Sequence, residues 1–129
     1  MSDPDTISKD VVDAAFKIHS SLGPGLLESA YEACLEHELL KRGYLVERQK
    51  ILPILFDGVQ IDAGYRIDLL INDQLLLELK AVEQILPIHR AQLMTYLRLS
   101  GKTLGLLINF NTILIKDGIR RIAMKHPGV

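Results

Sequence analysis

Apolar residues in this chain change their spacing from segment to segment, and the changes outline a fold. Val11, Val12, Ala15, Ile18 and Leu22 recur at helical intervals, with Asp10 well placed in the first turn, so a helix is expected from about Ser8 to Ser21. Gly23-Pro24-Gly25 ends it. Leu27, Ala30, Tyr31, Cys34, Leu35 and Leu39 form a second helical stripe, closed by Lys41-Arg42-Gly43 with a basic last turn and a stopping glycine.

Beyond Gly43 the period shortens to that of strands. Tyr44 to Phe56 reads as extended, Asp57-Gly58 as a tight hairpin turn and Val59 to Ile61 as the return, with Pro53 marking an edge or a bulge. Tyr65 to Ile71 and Leu75 to Lys80 follow as two strands about a turn at Asn72-Asp73-Gln74. Pro87 opens a helix running to about Ser100, and Gly101 closes it. Leu104 to Phe110 is an almost continuous apolar run, as expected of a strand covered on both faces. Ile113 to Lys116 and Ile119 to Met124, joined by Asp117-Gly118, are expected to form a closing hairpin. Helices, a strand meander, a helix and more strands make an α/β sandwich around a mixed sheet.

With 129 residues, 48% of them hydrophobic, the chain has material for one core without staples. A single domain over residues 8–125 is expected, preceded by a flexible segment 1–7 and followed by a tail 126–129. The single cysteine, Cys34, falls on a helical apolar stripe, where a buried inert thiol is expected. No run approaches membrane-spanning length and the start, Met-Ser-Asp-Pro-Asp-Thr, is polar and acidic, so the expected setting is cytoplasmic, with no membrane partner. A net charge of -1 means that any nucleic acid must be held by local basic patches and metal. Two such patches are present, Lys41, Arg42, Arg48 and Lys50, and Lys116, Arg120, Arg121 and Lys125. No aromatic row resembles a platform for stacking single-stranded bases.

The candidate chemistry lies in the two strands around Asn72-Asp73-Gln74. If they form an antiparallel hairpin with a three-residue loop, Asp68 faces Glu78, and strand alternation puts Lys80 on Glu78's side, with Leu75, Leu77 and Leu79 opposite. Like charges facing each other across strands destabilise a sheet by up to about 1 kcal/mol unless neutralised. A divalent cation would neutralise them; so would a cross-strand salt bridge from Asp68 to Lys80 or Arg66, and these residues alone leave both readings open. A loop one residue longer or shorter would turn Asp68 to the other face.

Gly25-Leu26-Leu27-Glu28-Ser29-Ala30-Tyr31 spells G-x-x-E-x-x-Y. Together with Tyr65-Arg66-Ile67-Asp68-Leu69-Leu70, Glu78-Leu79-Lys80-Ala81-Val82-Glu83, Ala91-Gln92-Leu93 and Gly105-Leu106-Leu107-Ile108-Asn109-Phe110, it closely resembles the GxxExxY family, placed in the PD-(D/E)XK nuclease superfamily. The resemblance runs from roughly His19 to Met124, with the motifs in the same order. It implies a restriction-endonuclease-like sandwich, a central mixed β-sheet flanked by helices. It makes Asp68 and Glu78 metal-binding carboxylates, Lys80 the signature lysine and Glu28 an additional acid, and it matches Gln92 and Tyr96 to a Q-x-x-x-Y element. The proline that gives the superfamily its name is Ile67 here; that residue shapes backbone, so fold and ligands stand without it.

The chemistry of the residues agrees. Mg²⁺ or Mn²⁺ suits two carboxylates and a strand carbonyl, that of Leu79, with waters completing the shell, and Glu28 as a further acid. One cysteine and scattered His19, His37, His89 and His126 have no zinc spacing. Water deprotonated near Lys80 would attack a phosphodiester of DNA or RNA. Gln92 and Tyr96, one helical turn apart, are expected to contact a substrate phosphate or to hold Lys80 and Glu78, and Arg66 is a further candidate for the nucleic-acid contact. Plainer roles compete: Glu28 as a first-turn acid, Tyr96 as a core residue between Leu93 and Leu97 with Gln92 solvated, Tyr31 as a core tyrosine and His89 as an exposed first-turn residue. A metal-dependent nuclease is the leading function, and a noncatalytic nucleic-acid-binding or protein-interaction module keeping the fold is the alternative. A domain this small is expected to need a second copy or another protein to enclose a substrate.

Overall fold

In the computed structural model, which describes residues 3–124, helix α1 spans Pro4–Leu22. It starts before its apolar stripe because the Asp3 side chain accepts the Thr6 amide at 2.8 Å and Pro4 fills the first helical position. That extra turn buries Ile7, so the segment expected to be flexible is helical from Pro4 and packed into the core. Lys125, His126 and the tail 126–129 lie outside the described residues. Helix α2, Glu28–Lys41, buries Tyr31, Leu35 and Leu39, while Leu27 is exposed and Cys34 is half-buried rather than buried. The carboxylate of Glu38 joins the two helices, pairing with Lys17 and with Arg42, each at 2.8 Å.

Five strands form the main sheet in the order β1 (Val46–Ile51), β4 (Arg66–Ile71), β5 (Leu75–Lys80), β6 (Leu104–Asn109), β7 (Ile119–Ala123). Only β5 and β6 run parallel, and helix α3, Pro87–Ser100, makes the crossover between them. The sheet is thus mixed, with helices on both faces. Alternation sends Leu75, Leu77 and Leu79 of β5, with Leu104, Leu106 and Ile108 of β6, into one core with α1 and α2. Leu76 and Leu107 enter a second core with Leu93, Tyr96 and Leu97 of α3. Every residue of β6 is buried, as its unbroken apolar run predicts. Gly105 permits the close approach of α3, since a Cβ there would lie 3.0 Å from Leu93. Among the described residues, no helix is long and apolar enough to cross a membrane.

Two expected elements differ. Tyr44 to Phe56 is not one strand: it breaks at Leu52-Pro53, where the missing proline N–H cannot extend a ladder, into edge strand β1 and a short β2, Ile54–Phe56. Strand β2 pairs with β3, Val59–Ile61, in a separate hairpin about Asp57 and Gly58, both at positive φ as the Asp-Gly turn requires. The closing hairpin is absent as well. Ile115 is drawn into the core, Ile115–Gly118 forms a 3-10 turn, and β7 pairs with β6 instead. Gly118 allows this, because a Cβ there would lie 2.1 Å from the Asn109 carbonyl oxygen.

Gly118→Ala is therefore expected to destabilise the protein by about 1–3 kcal/mol, the usual cost of overpacking, and urea unfolding checks it. Lys17 and Arg42 hold the Glu38 carboxyl down at about 2, against 4.5 ordinarily. A depressed folded pKa gives stability that is present above the unfolded value and lost as pH falls towards the folded one. Between pH 4.5 and 2 the wild type should lose more stability than Glu38→Gln, measured as the fall in urea midpoint.

Candidate active site

The β4–β5 hairpin has the register needed to bring the two acids together. Leu69 pairs with Leu77, Leu70 with Leu76 and Ile71 with Leu75, and Asn72 and Asp73 adopt positive φ in the three-residue turn. One further step sets Asp68 against Glu78. Here carboxylates replace the backbone ladder: the Asp68 amide donates to Glu78 Oε1 at 3.3 Å, and the Leu79 amide donates to Asp68 Oδ2 at 2.8 Å. The salt bridge that competed with this arrangement does not form, since Arg66 pairs with Asp62 at 3.4 Å and Lys80 turns elsewhere.

Lys80 turns towards α3. Its Nζ donates to Gln92 Oε1 at 3.3 Å, and Gln92 Nε2 donates to the Tyr96 hydroxyl oxygen at 3.3 Å. Tyr96 is also a core residue, packed with Leu93 and Leu97 and set edge-on to Tyr65. Asn109 pins the backbone just past Lys80: its side chain accepts from the Val82 amide at 3.1 Å and donates to the Val82 carbonyl at 2.9 Å.

Glu28 reaches the cluster from α2. It is the first residue of that helix, with Leu27 in the cap position. Burial and then the charge of Asp68 push its carboxyl up, against the pull of Lys80 and the Ala81 amide. One turn on, Glu32 accepts Gln49 Nε2 at 2.6 Å, and the same amide nitrogen lies 3.4 Å from Asp68 Oδ1. Tyr31 acts on the loop before the helix: its hydroxyl donates to the Gly23 carbonyl at 2.6 Å and accepts the Leu26 amide at 3.1 Å, while its ring stacks on Phe110 at 4.4 Å. The G-x-x-E-x-x-Y motif is therefore a fastened loop followed by an acid near enough to Asp68 and Lys80 to feel their charges.

Sequence reasoning missed Asn109, Glu32 and Gln49. Asn109 does carry a signal, a polar residue ending an apolar strand; Gln49 carries one only in three dimensions, sitting at positive φ beside Asp68. The basic patches are partly spent within the protein: Arg42 pairs with Asp13 and Glu38, Arg48 with Glu32 and Glu36, Lys50 with Glu47 and Arg121 with Asp5.

A model of the PD-(D/E)XK nuclease superfamily matches residues 5–122. The chain belongs to the PD-(D/E)XK nuclease superfamily. No curated protein and no solved structure matched it. The five-stranded mixed sheet between helices agrees with that fold, and PD-(D/E)XK nucleases generally use divalent metal ions on nucleic-acid substrates.

The donor set of this PD-(D/E)XK protein can be tested against such an ion. Burial first, and the Asp68 charge second, raise the Glu78 carboxyl to about 8, with Lys80 and the Asp68 amide opposing. A carboxyl driven to hold a proton beside another carboxylate is one that a hard cation would relieve. Among the described residues no three His, Cys, Asp or Glu side chains converge as a ready-made cage. Mg²⁺ fits nonetheless, since it keeps several waters and takes one or two carboxylates. Zinc does not, for His19 is engaged with the Thr112 carbonyl and His89 with the Leu86 amide.

The raised Glu78 pKa makes a stability prediction. A folded pKa above the unfolded value gives stability that is full below 4.5 and lost as pH rises through about 8. Without divalent ions, Glu78→Gln should be more stable than the wild type above pH 8, by on the order of a few kcal/mol, and the gap should close near pH 4.5. Urea titrations across that range measure it.

Proposed function

We propose that the chain is a divalent-metal-dependent nuclease of the GxxExxY branch, hydrolysing phosphodiester bonds in DNA or RNA. The observation that carries this reading is the interlocked Asp68–Glu78 pair, with Lys80 beside it under the control of Gln92. Asp68, Glu78 and the Leu79 carbonyl would hold Mg²⁺ or Mn²⁺, with Glu28 as a further acid. When bound, the ion supplies Lewis-acid polarisation of the phosphoryl group and eases ionisation of the attacking water.

The chain's own groups do the rest. Lys80 brings a compact positive charge with three donors to the phosphoryl oxygens, where negative charge grows as water attacks phosphorus and the leaving oxygen departs with a proton. Gln92 fixes the direction of Lys80, and Tyr96 fixes Gln92. Glu28 faces Asp68 and Lys80, a position from which a carboxylate can orient the water. Arg66, held by Asp62 at 3.4 Å, is available to a phosphate that displaces this exposed partner.

Cleavage should depend on added Mg²⁺ or Mn²⁺ across a panel of single-stranded, double-stranded and branched substrates. Lys80→Ala and Asp68→Asn should each lower kcat/KM at least about 100-fold with far-UV circular dichroism unchanged. Mg²⁺ should raise the Tm of the wild type and not that of Asp68→Asn. Nucleic-acid binding with no cleavage above these variants would instead establish the noncatalytic module.

A further inference from the structure

A cavity of about 530 Å³ opens between α3 and the β2–β3 hairpin, with Lys80 in its wall. Ile88, Gln92, Thr95 and Leu99 line it from α3, Ile54 from β2, and Tyr65 from the approach to β4. Two chemistries meet inside: Ile54, Tyr65, Ile88 and Leu99 form an apolar body, and the Lys80 ammonium and Gln92 amide form a polar end shared with the carboxylate site. A flat ring joined to an anion has this distribution.

We propose that this cavity receives an unpaired nucleobase next to the scissile phosphate, so that the substrate class is a single strand or a frayed end; the assignment rests on the nuclease reading above. Its volume falls within the range of roughly 300–1,000 Å³ usual for small-ligand sites. A base within a duplex is stacked and paired, and cannot enter without being extruded. The hairpin extends the apolar wall. Its register pairs Ile54 with Ile61 and Phe56 with Val59, so these four side chains share one face. Phe56, Val59 and Ile61 on that face are 69%, 57% and 42% exposed, which leaves them available to a neighbouring base.

The polar edge is organised as well. His89 Nδ1 accepts the Leu86 amide at 3.0 Å, so the neutral ring carries its proton on Nε2, and the residue lines the cavity. Tyr96 braces the Tyr65 ring edge-on, with centroids 6.2 Å apart, leaving half-exposed Tyr65 to stack. The rings offered for stacking are those of Phe56 and Tyr65, which no local pattern connects.

Nitrogen-15 chemical-shift titration of the full chain tests the proposal with two probes, deoxyadenosine 5′-monophosphate and 2-deoxyribose 5-phosphate. The nucleotide should bind at least about tenfold tighter, shifting the amides of Gln92, Thr95 and Leu99, and Tyr65→Ala or Ile88→Ala should remove most of the difference. Both side chains are exposed, at 44% and 67%, so the fold tolerates their loss. Equal affinity for the two probes, no binding of either, or an unchanged preference in both variants would overturn the assignment. Cleavage separates it from the parent reading. An abasic residue beside the scissile phosphate should slow the wild type about tenfold and Tyr65→Ala little. Cleavage at equal rates on intact and abasic strands defeats the cavity and leaves the nuclease; selective nucleotide binding without cleavage supports the cavity as a nucleotide site and defeats the nuclease. If Ile88→Ala turns a dimer into monomers with nucleotide affinity unchanged, the face is an interface between copies and the proposal fails.

Discussion

Two backbone amides at the open end of the β4–β5 hairpin take carboxylates as their acceptors, and the rest of the site depends on that substitution. A sheet amide needs a partner, and neighbouring carbonyls normally supply it. At Asp68 and Leu79 the acids supply it instead, which fixes both side chains while setting like charges together at a partly buried edge. The arrangement stands because amides, Lys80 and protonation of Glu78 offset the repulsion. It exists only in one register. Asn72 and Asp73, able to take positive φ, close the loop at three residues; one residue more or fewer would carry Asp68 to the opposite face.

This local logic explains why the hairpin was legible in the sequence. Alternation over β5 placed Leu75, Leu77 and Leu79 against one helical layer and Glu78 and Lys80 towards the other, which is the arrangement found. Helix α3 and buried strand β6 were equally clear, since Pro87 and Gly101 punctuate the first and the second is an apolar run up to Asn109. The misread elements each depended on something outside the apolar pattern. The start of α1 was set by a polar cap at Asp3, and the break of the long strand by one missing N–H at Pro53. The 3-10 turn was set by the fit of Gly118 against the Asn109 carbonyl, a contact no periodicity encodes.

The candidate site divides in the same way. Asp68 and Glu78 met through ten residues of chain, so strand arithmetic reached them. Lys80 meeting Gln92 spans a crossover and was expected only through the Q-x-x-x-Y resemblance, while Gln49 joining Glu32 to Asp68 needs a helix packed on a sheet edge and has no local signature. Asn109 shows the limit well. Its polarity at the end of β6 was visible, but its task of holding Val82, and with it the chain leaving Lys80, follows only from β5 and β6 being parallel neighbours. The basic clusters erred in the other direction: of the charges that look free along the chain, Arg42, Arg48 and Arg121 are paired with acids from other elements.

Helix α3 joins the two halves of the functional proposal physically. Ile88, Gln92, Thr95 and Leu99 follow one another at four-, three- and four-residue steps, so they lie along one helical face. Gln92, in the middle of that face, holds Lys80, while its neighbours above and below wall the cavity. The ammonium and the apolar wall therefore cannot move independently. A helix started by Pro87 and stopped by left-handed Gly101, with Leu93 locked over Gly105, is a rigid ruler. Where such a ruler places a base, it also sets where the attached phosphate must lie relative to Lys80 and the carboxylates, so selection of an unpaired strand and alignment for hydrolysis become one geometric event rather than two.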